Sequence, residues 1–171
     1  MIVSGGWDNT IQIYDLRVKG PVESILGPHI CGCDAIDFRN DGNTLLVGSY
    51  RQDDALQLYD MRKYECVRSY NWDGTGAGEM LFNDGGEEAK LQSFKPKSAP
   101  MLYASRFNKK QDLIIAGGAG ENEVRVFDYE SGSIVAMISG LERAVLTIDT
   151  TKTDNGFAFG SADSLLRIME I

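Results

Sequence analysis

The chain has 171 residues, 17 Lys and Arg against 25 Asp and Glu, and a net charge of −8. With 43% hydrophobic and 25% charged residues it has the balance of a folded globular domain, not a disordered segment. The acidic total argues against a phosphate-backbone partner, and no apolar run reaches the length of a membrane span.

No secretory signal opens the chain. Three cysteines, Cys31, Cys33 and Cys66, and one histidine, His29, are a sparse set that fits a reducing compartment. They offer little material for metal or nucleophilic chemistry. No cofactor, no metal and no catalytic residue is therefore expected, and the expected location is cytoplasmic, with cytoskeletal, ciliary and nuclear settings left open.

In chain order, the apolar start Met1–Val3 runs into Ser-Gly-Gly, and Asp8-Asn9-Thr10 reads as a turn into a strand at 10–15. Alternating patches follow at 22–26, 33–38, 44–47, 66–72, 102–107, 113–116, 133–138, 144–149 and 157–159. Turn residues separate them, as at 40–43 (Asn-Asp-Gly-Asn) and 153–156 (Thr-Asp-Asn-Gly). No amphipathic helix is found. The chain is predicted to be all-β.

Four segments repeat one pattern: GGWDNTIQIYDLR (5–17), GSYRQDDALQLYDMR (48–62), GGAGENEVRVFDYE (117–130) and GSADSLLRIMEI (160–171). Each runs from small residues through a polar turn into a strand ending in an aromatic-acid pair or its remnant. The pairs are Tyr14-Asp15, Tyr59-Asp60, Phe127-Asp128 and Met169-Glu170. Tyr14 to Tyr59 is 45 residues, Tyr59 to Phe127 is 68 and Phe127 to Met169 is 42. Two of these match the roughly 40–45-residue period of a four-stranded propeller blade.

The stretch 27–62 carries the resemblance furthest. It has Gly27-Pro28-His29, Phe38-Arg39-Asn40-Asp41-Gly42, Gly48-Ser49 and Tyr59-Asp60 in order, and so resembles the unit of the WD40-repeat β-propeller family. The resemblance implies antiparallel blades of strands a to d, with the aromatic-acid pair closing strand c. It divides the chain into a blade with strands b–d (1–26), a blade at 33–72, an insertion at 73–100, a blade at 101–139 and a last blade at 143–171. The expected strand tally is three, four, four and three, as in the C-terminal half of a larger propeller. The opening residues then read as strands b and c of a blade whose strand a is missing.

No repeat keeps the family's Trp, and only the second has its His. The family's hydrogen-bond network is therefore expected in the second blade alone, from His29, Asp53, Ser49 and Tyr59. Asp8 in the first blade and Ser161 and Asp163 in the last occupy corresponding places.

The insertion 73–100 is expected to be a d-to-a loop, with Glu79, Met80, Phe82 and Phe94 as candidate partner contacts. Its GTGAG stretch lacks the helix and the Lys-Ser/Thr pair of a phosphate loop. His29-x-Cys31-x-Cys33 falls short of a four-ligand zinc site; His29 has a role in the blade and Cys33 is expected to enter a buried strand. Asp15-Leu16-Arg17 and Asp60-Met61-Arg62 resemble a motif of WD40 substrate receptors of cullin-type ubiquitin ligases, in which the Arg meets the adaptor. The simpler reading of Arg17 and Arg62 is a surface pair with the local Asp.

The family implies a non-catalytic protein-protein interaction scaffold within a larger assembly, its partners being proteins, including the rest of the propeller as a longer parent chain, a partner chain or a second copy. The alternative is a ligase substrate receptor. No paired acid and base converge to support an enzyme.

Overall fold

The computed structural model describes residues 1–72, 98–152 and 156–170, together with the backbone of 80–82 and 88–89. All regular structure among them is β. The first sheet contains β1 (Ile2–Gly5), β2 (Thr10–Tyr14) and β3 (Pro21–Leu26). The second contains β4 (Ile36–Phe38), β5 (Thr44–Gly48), β6 (Leu56–Asp60) and β7 (Glu65–Tyr70). Two short strands, β8 (Met80–Phe82) and β9 (Glu88–Ala89), precede the third sheet's β10 (Met101–Phe107), β11 (Leu113–Ala119), β12 (Val124–Asp128) and β13 (Ile134–Ile138). The fourth sheet has β14 (Val145–Thr150), β15 (Gly156–Ser161) and β16 (Leu166–Glu170).

Consecutive strands of each blade pair antiparallel, so their side chains alternate between two faces. The inner sheets bury both. In β5, Leu45 and Val47 pack towards the first sheet while Leu46 packs towards the third. That explains why Leu45-Leu46-Val47 is a continuous apolar run with no polar alternation. Three apolar clusters result, one at each seam between consecutive sheets. The arrangement is an arc of propeller blades.

The c–d pairings share a defect. The register shifts at Ile13/Tyr14, at Leu58/Tyr59 and at Val126/Phe127, each time just before the aromatic residue. Such a bulge raises local twist, and in the two inner sheets the aromatic ring, Tyr59 or Phe127, lies in the seam. The turns are held by polar side chains at their first position. Asp41 accepts from the Asn43 and Thr44 amides at 2.8 and 2.9 Å, while Gly42 supplies the left-handed φ of 69°.

Three expectations need correction. The third sheet has six strands, because β8 from the insertion lies parallel to β13, with Met80 opposite Ala136 and Phe82 opposite Ile138. The insertion is thus not simply a d-to-a loop; part of its backbone extends the outer edge of the third blade, whose unpaired groups can accept a further strand. Strand a of the second blade is short, beginning at Ile36 where 33 was expected. The preceding backbone turns to the neighbouring blade: the Asp34 carbonyl accepts from the Ser105 amide at 2.8 Å, and Asp34 bridges Ala104. Cys33 is consequently exposed, not buried.

Candidate interaction surfaces

The expected four-residue network of the second blade does not form. The His29 ring bonds Asn9 across the seam, Nδ1 to Oδ1 at 2.7 Å. The Ser49 hydroxyl donates to the Ala55 carbonyl at 3.3 Å, and Asp53 is exposed on its turn. The Tyr59 hydroxyl donates to Gln57 Oε1 at 2.9 Å, and burial pushes that phenol up to about 12. The Gln57 amide in turn donates to Ser69 at 3.1 Å. Without a Trp for the His and Ser to reach, strand-borne Gln57 becomes the hub.

The same position carries a polar residue in every repeat: Gln12, Gln57, Arg125 and Arg167, each two before the aromatic or its replacement. In the first blade Tyr14 bonds Gln12, while Asp8 caps its own turn by accepting from the Thr10 amide at 3.1 Å. In the last, Arg167 donates to Ser161 Oγ at 2.8 Å and pairs with Asp163 at 2.9 Å; Ser161 bonds Asp163 at 2.6 Å. Arg167, then Ser161, hold the Asp163 carboxyl down at about 2. Ser161 and Asp163 therefore do form a network, with Arg167 as its centre.

Arg125 and Glu123 are the residues the sequence reading missed. Both are almost fully buried at the seam of the second and third sheets. Glu123 Oε1 accepts from the Trp72 indole at 2.8 Å and from Arg125 Nε at 3.0 Å, and Arg125 also donates to the Trp72 carbonyl. Burial drives the Glu123 carboxyl upward despite the adjacent guanidinium. The signal was the charged Arg125 between Val124 and Val126, in a run that should be wholly apolar.

The two Asp-x-Arg turns are equivalent. Arg17 grips Asp15 through Nε at 2.9 Å and Nη2 at 2.5 Å; Arg62 grips Asp60 at 2.9 and 2.7 Å. Both guanidiniums are largely exposed. The Arg62 bonds hold the Asp60 carboxyl at about 2, and Arg17 holds Asp15 well below the usual carboxylate range. Each pair is a complete local unit that still presents charge to solvent. Glu79 and Phe94 lie outside the described residues, and Met80 and Phe82 are described in backbone only.

Near the inner strands, Arg106 pairs with Asp34 at 3.0 Å and with Asp37 at 3.6 Å, and Thr147 of the last blade bonds Asp34. Asp37, raised chiefly by burial, also accepts from the Phe107 amide at 3.0 Å. These contacts tie three blades together. Among the described residues no group of three His, Cys, Asp or Glu side chains is disposed to hold a metal ion.

The outward faces of the two end sheets differ from all this. On strand c, Ile11 and Ile13, Leu56 and Leu58, and Val124 and Val126 are buried beneath the following sheet. The matching residues of the last sheet, Leu166 and Ile168, are 71% and 72% exposed. At the opposite end, Ile2 and Leu26 are 49% and 77% exposed. Gln12 and Tyr14 are only half-buried, where Gln57 and Tyr59 are buried. Both ends expose surface that every other blade covers.

No family model matches the chain. It is similar to the DDB1- and CUL4-associated factor 11 homolog of Caenorhabditis elegans, 24% identical over 187 residues, covering 98% of this chain and 32% of that protein. It is equally similar to the WD repeat-containing protein srw1 of Schizosaccharomyces pombe, 24% identical over 196 residues, covering 100% and 34%. The chain thus spans about a third of the length of these curated relatives. In fold it matches the WD40 β-propeller domain of Doa1 with a TM-score of 0.65 and 19% identity, over 97% of this chain and 45% of that one. A computationally designed protein, Ika8, matches with a TM-score of 0.62 and 16% identity, over 99% and 42%.

Proposed function

We propose that this array of WD40-type repeats is a non-catalytic protein-interaction scaffold whose nearest partner is the remainder of a propeller. The observation that carries the reading is the pair Leu166 and Ile168, repeat positions that are buried in every preceding blade and exposed in the last. Propellers close into rings because each blade needs a neighbour on both faces, and exposed apolar surface of this kind marks an interaction site. Further blades, from a longer parent chain, a partner chain or a second copy, would cover it. Rigid blades with variable turns suit recognition, and propellers of this type generally act as scaffolds, not catalysts. The three free thiols suit a reducing setting such as the cytoplasm.

The test is light scattering on the 18.8 kDa chain over a concentration series, alone and with Leu166→Glu and Ile168→Glu together. Self-association abolished by the two substitutions is the expected result. A wild-type chain that stays monomeric and binds no hydrophobic dye would overturn the reading.

The paired Asp-x-Arg turns and the relative named as a DDB1- and CUL4-associated factor favour a second reading, a ligase substrate receptor. Its test is capture by DDB1. The double substitution Arg17→Ala, Arg62→Ala should abolish capture; equal capture, or none by wild type, removes this reading.

A further inference from the structure

Three aromatic rings line up across the seam between the first and second blades, away from the Asp-x-Arg turns. Trp7 lies on the turn between β1 and β2, His29 on the segment after β3, and Tyr50 just after β5. The Trp7 and His29 rings stack with centroids 6.4 Å apart and planes 29° apart. The Tyr50 ring meets His29 edge-on at 6.2 Å. Trp7 is nonetheless 76% exposed and Tyr50 44%, so with one face towards His29 the indole offers its other face to solvent.

The backbone holds these rings in place. The Tyr50 amide donates to the His29 carbonyl at 2.9 Å, and the Ile30 amide to the Gly6 carbonyl at 3.1 Å. Asn9, in a left-handed conformation at φ 60°, fixes the imidazole through its own side chain. Gly5 lies close against Ile30; a methyl group there would sit 2.7 Å from its Cγ1. A large aromatic that contributes nothing to a core, yet stands on an ordered frame, has the character of a binding anchor. Its ordering cost is met before any ligand arrives.

Charge selects the ligand. Asp8 adjoins Trp7, and Asp53 and Asp54 follow Tyr50 on the same turn; all three are exposed. The nearby cation, Arg51, is half-buried and donates to Gln57 Oε1 at 3.3 Å. On these two turns the carboxylates of Asp8, Asp53 and Asp54 outnumber the one cation, Arg51, on a chain of net −8. An open indole face beside the Asp8 carboxylate attracts a Lys or Arg side chain by cation–π and by Coulomb terms together.

We propose that Trp7, His29 and Tyr50 form a docking shelf for a basic segment of a partner protein, with a Lys or Arg side chain laid on the exposed face of Trp7. This rests on the scaffold reading and names the chemistry of one partner.

The experiment is a 15N NMR titration of the whole chain with the acetylated, amidated hexapeptide Gly-Arg-Gly-Lys-Gly-Arg. Two control peptides replace its basic residues by Glu or by Leu. The expected result is saturable shifts at the Trp7 indole and at the His29 and Tyr50 amides, with the basic peptide alone. Trp7→Ala should weaken binding about tenfold, and Asp53→Asn with Asp54→Asn should weaken it further at low salt. Trp7→Ala removes an exposed side chain, and unchanged shifts elsewhere verify its fold. No saturable shift, equal binding by the Leu peptide, or binding indifferent to Trp7→Ala would overturn the proposal. Light scattering on the same samples reports the scaffold reading separately, so failure of one is not failure of the other.

Discussion

The guanidinium of Arg125 lies over the indole of Trp72, 5.0 Å from its ring centre, across the seam between the second and third blades. Trp72 is the last described residue before the insertion, and Arg125 is in the strand c that follows it. With Glu123 bonded to both, a charged cluster holds the place that Gln57 takes in the second blade and the Arg167–Asp163 pair in the last.

That cluster makes an asymmetric prediction. Arg125 keeps its charge at any accessible pH, so Glu123→Ala strands it and should cost about 3–5 kcal/mol. Arg125→Met should cost less, because Glu123 can take up a proton. With its folded pKa already above the ordinary value, Glu123 binds a proton more readily in the folded state, so the Arg125→Met protein should gain stability as pH falls towards 4.5. Urea midpoints at pH 5 and pH 8 check both the order and the slope.

Asp163 behaves in the opposite sense. Its folded pKa of about 2 lies below the unfolded value of about 3.9. The stability it contributes is present above pH 4 and is lost as pH falls through 4 to 2. Replacing it by Asn should flatten the acid limb of stability against pH in that window and lower the plateau above it. Urea denaturation of the two proteins between pH 2 and 7 measures this.

Arg62→Ala should raise the Asp60 carboxyl from about 2 towards the ordinary range near 4, stopping short of it because the residue-62 amide still donates to it, with little change in stability, since the pair is exposed. A carboxyl-carbon NMR titration reads the shift directly. Arg17→Ala should act in the same way on Asp15. If neither carboxyl moved, the pairs would be absent in solution.

Gly118→Ala tests the close approach of β10 and β11. A methyl group at that position would stand 1.8 Å from the Met101 carbonyl oxygen, a backbone atom that cannot step aside without parting the strands. The pairing there already carries a register shift between Leu102 and Ala104. The expected loss is roughly 1–3 kcal/mol, the cost of overpacking, read as a fall in urea midpoint with unchanged m-value.

The arc of blades was legible because propeller periodicity is written locally. Alternating apolar residues, Asp and Gly turns, and an aromatic-acid pair recur within each repeat, and every such signal acts over a few residues. The strand patches at 44–47 and 113–116 were legible too, but that Leu45-Leu46-Val47 and Ile114-Ile115-Ala116 are buried on both faces is seen only in the stacked sheets. The contacts between blades were not legible. His29 bonds Asn9 and not Asp53, Arg125 reaches back to Trp72, and Asp34 is shared by Arg106 and Thr147. Each joins residues far apart in the chain, and a hydrogen bond of about 3 Å depends on the relative placement of whole sheets. The sequence determined by itself which strands build the blades, though not the added β8 and β9, and which faces are apolar, since that is a matter of alternation and turn chemistry. Tertiary structure alone decided which polar groups meet at the seams and that Leu166 and Ile168 stand open, because both follow from how sheets stack.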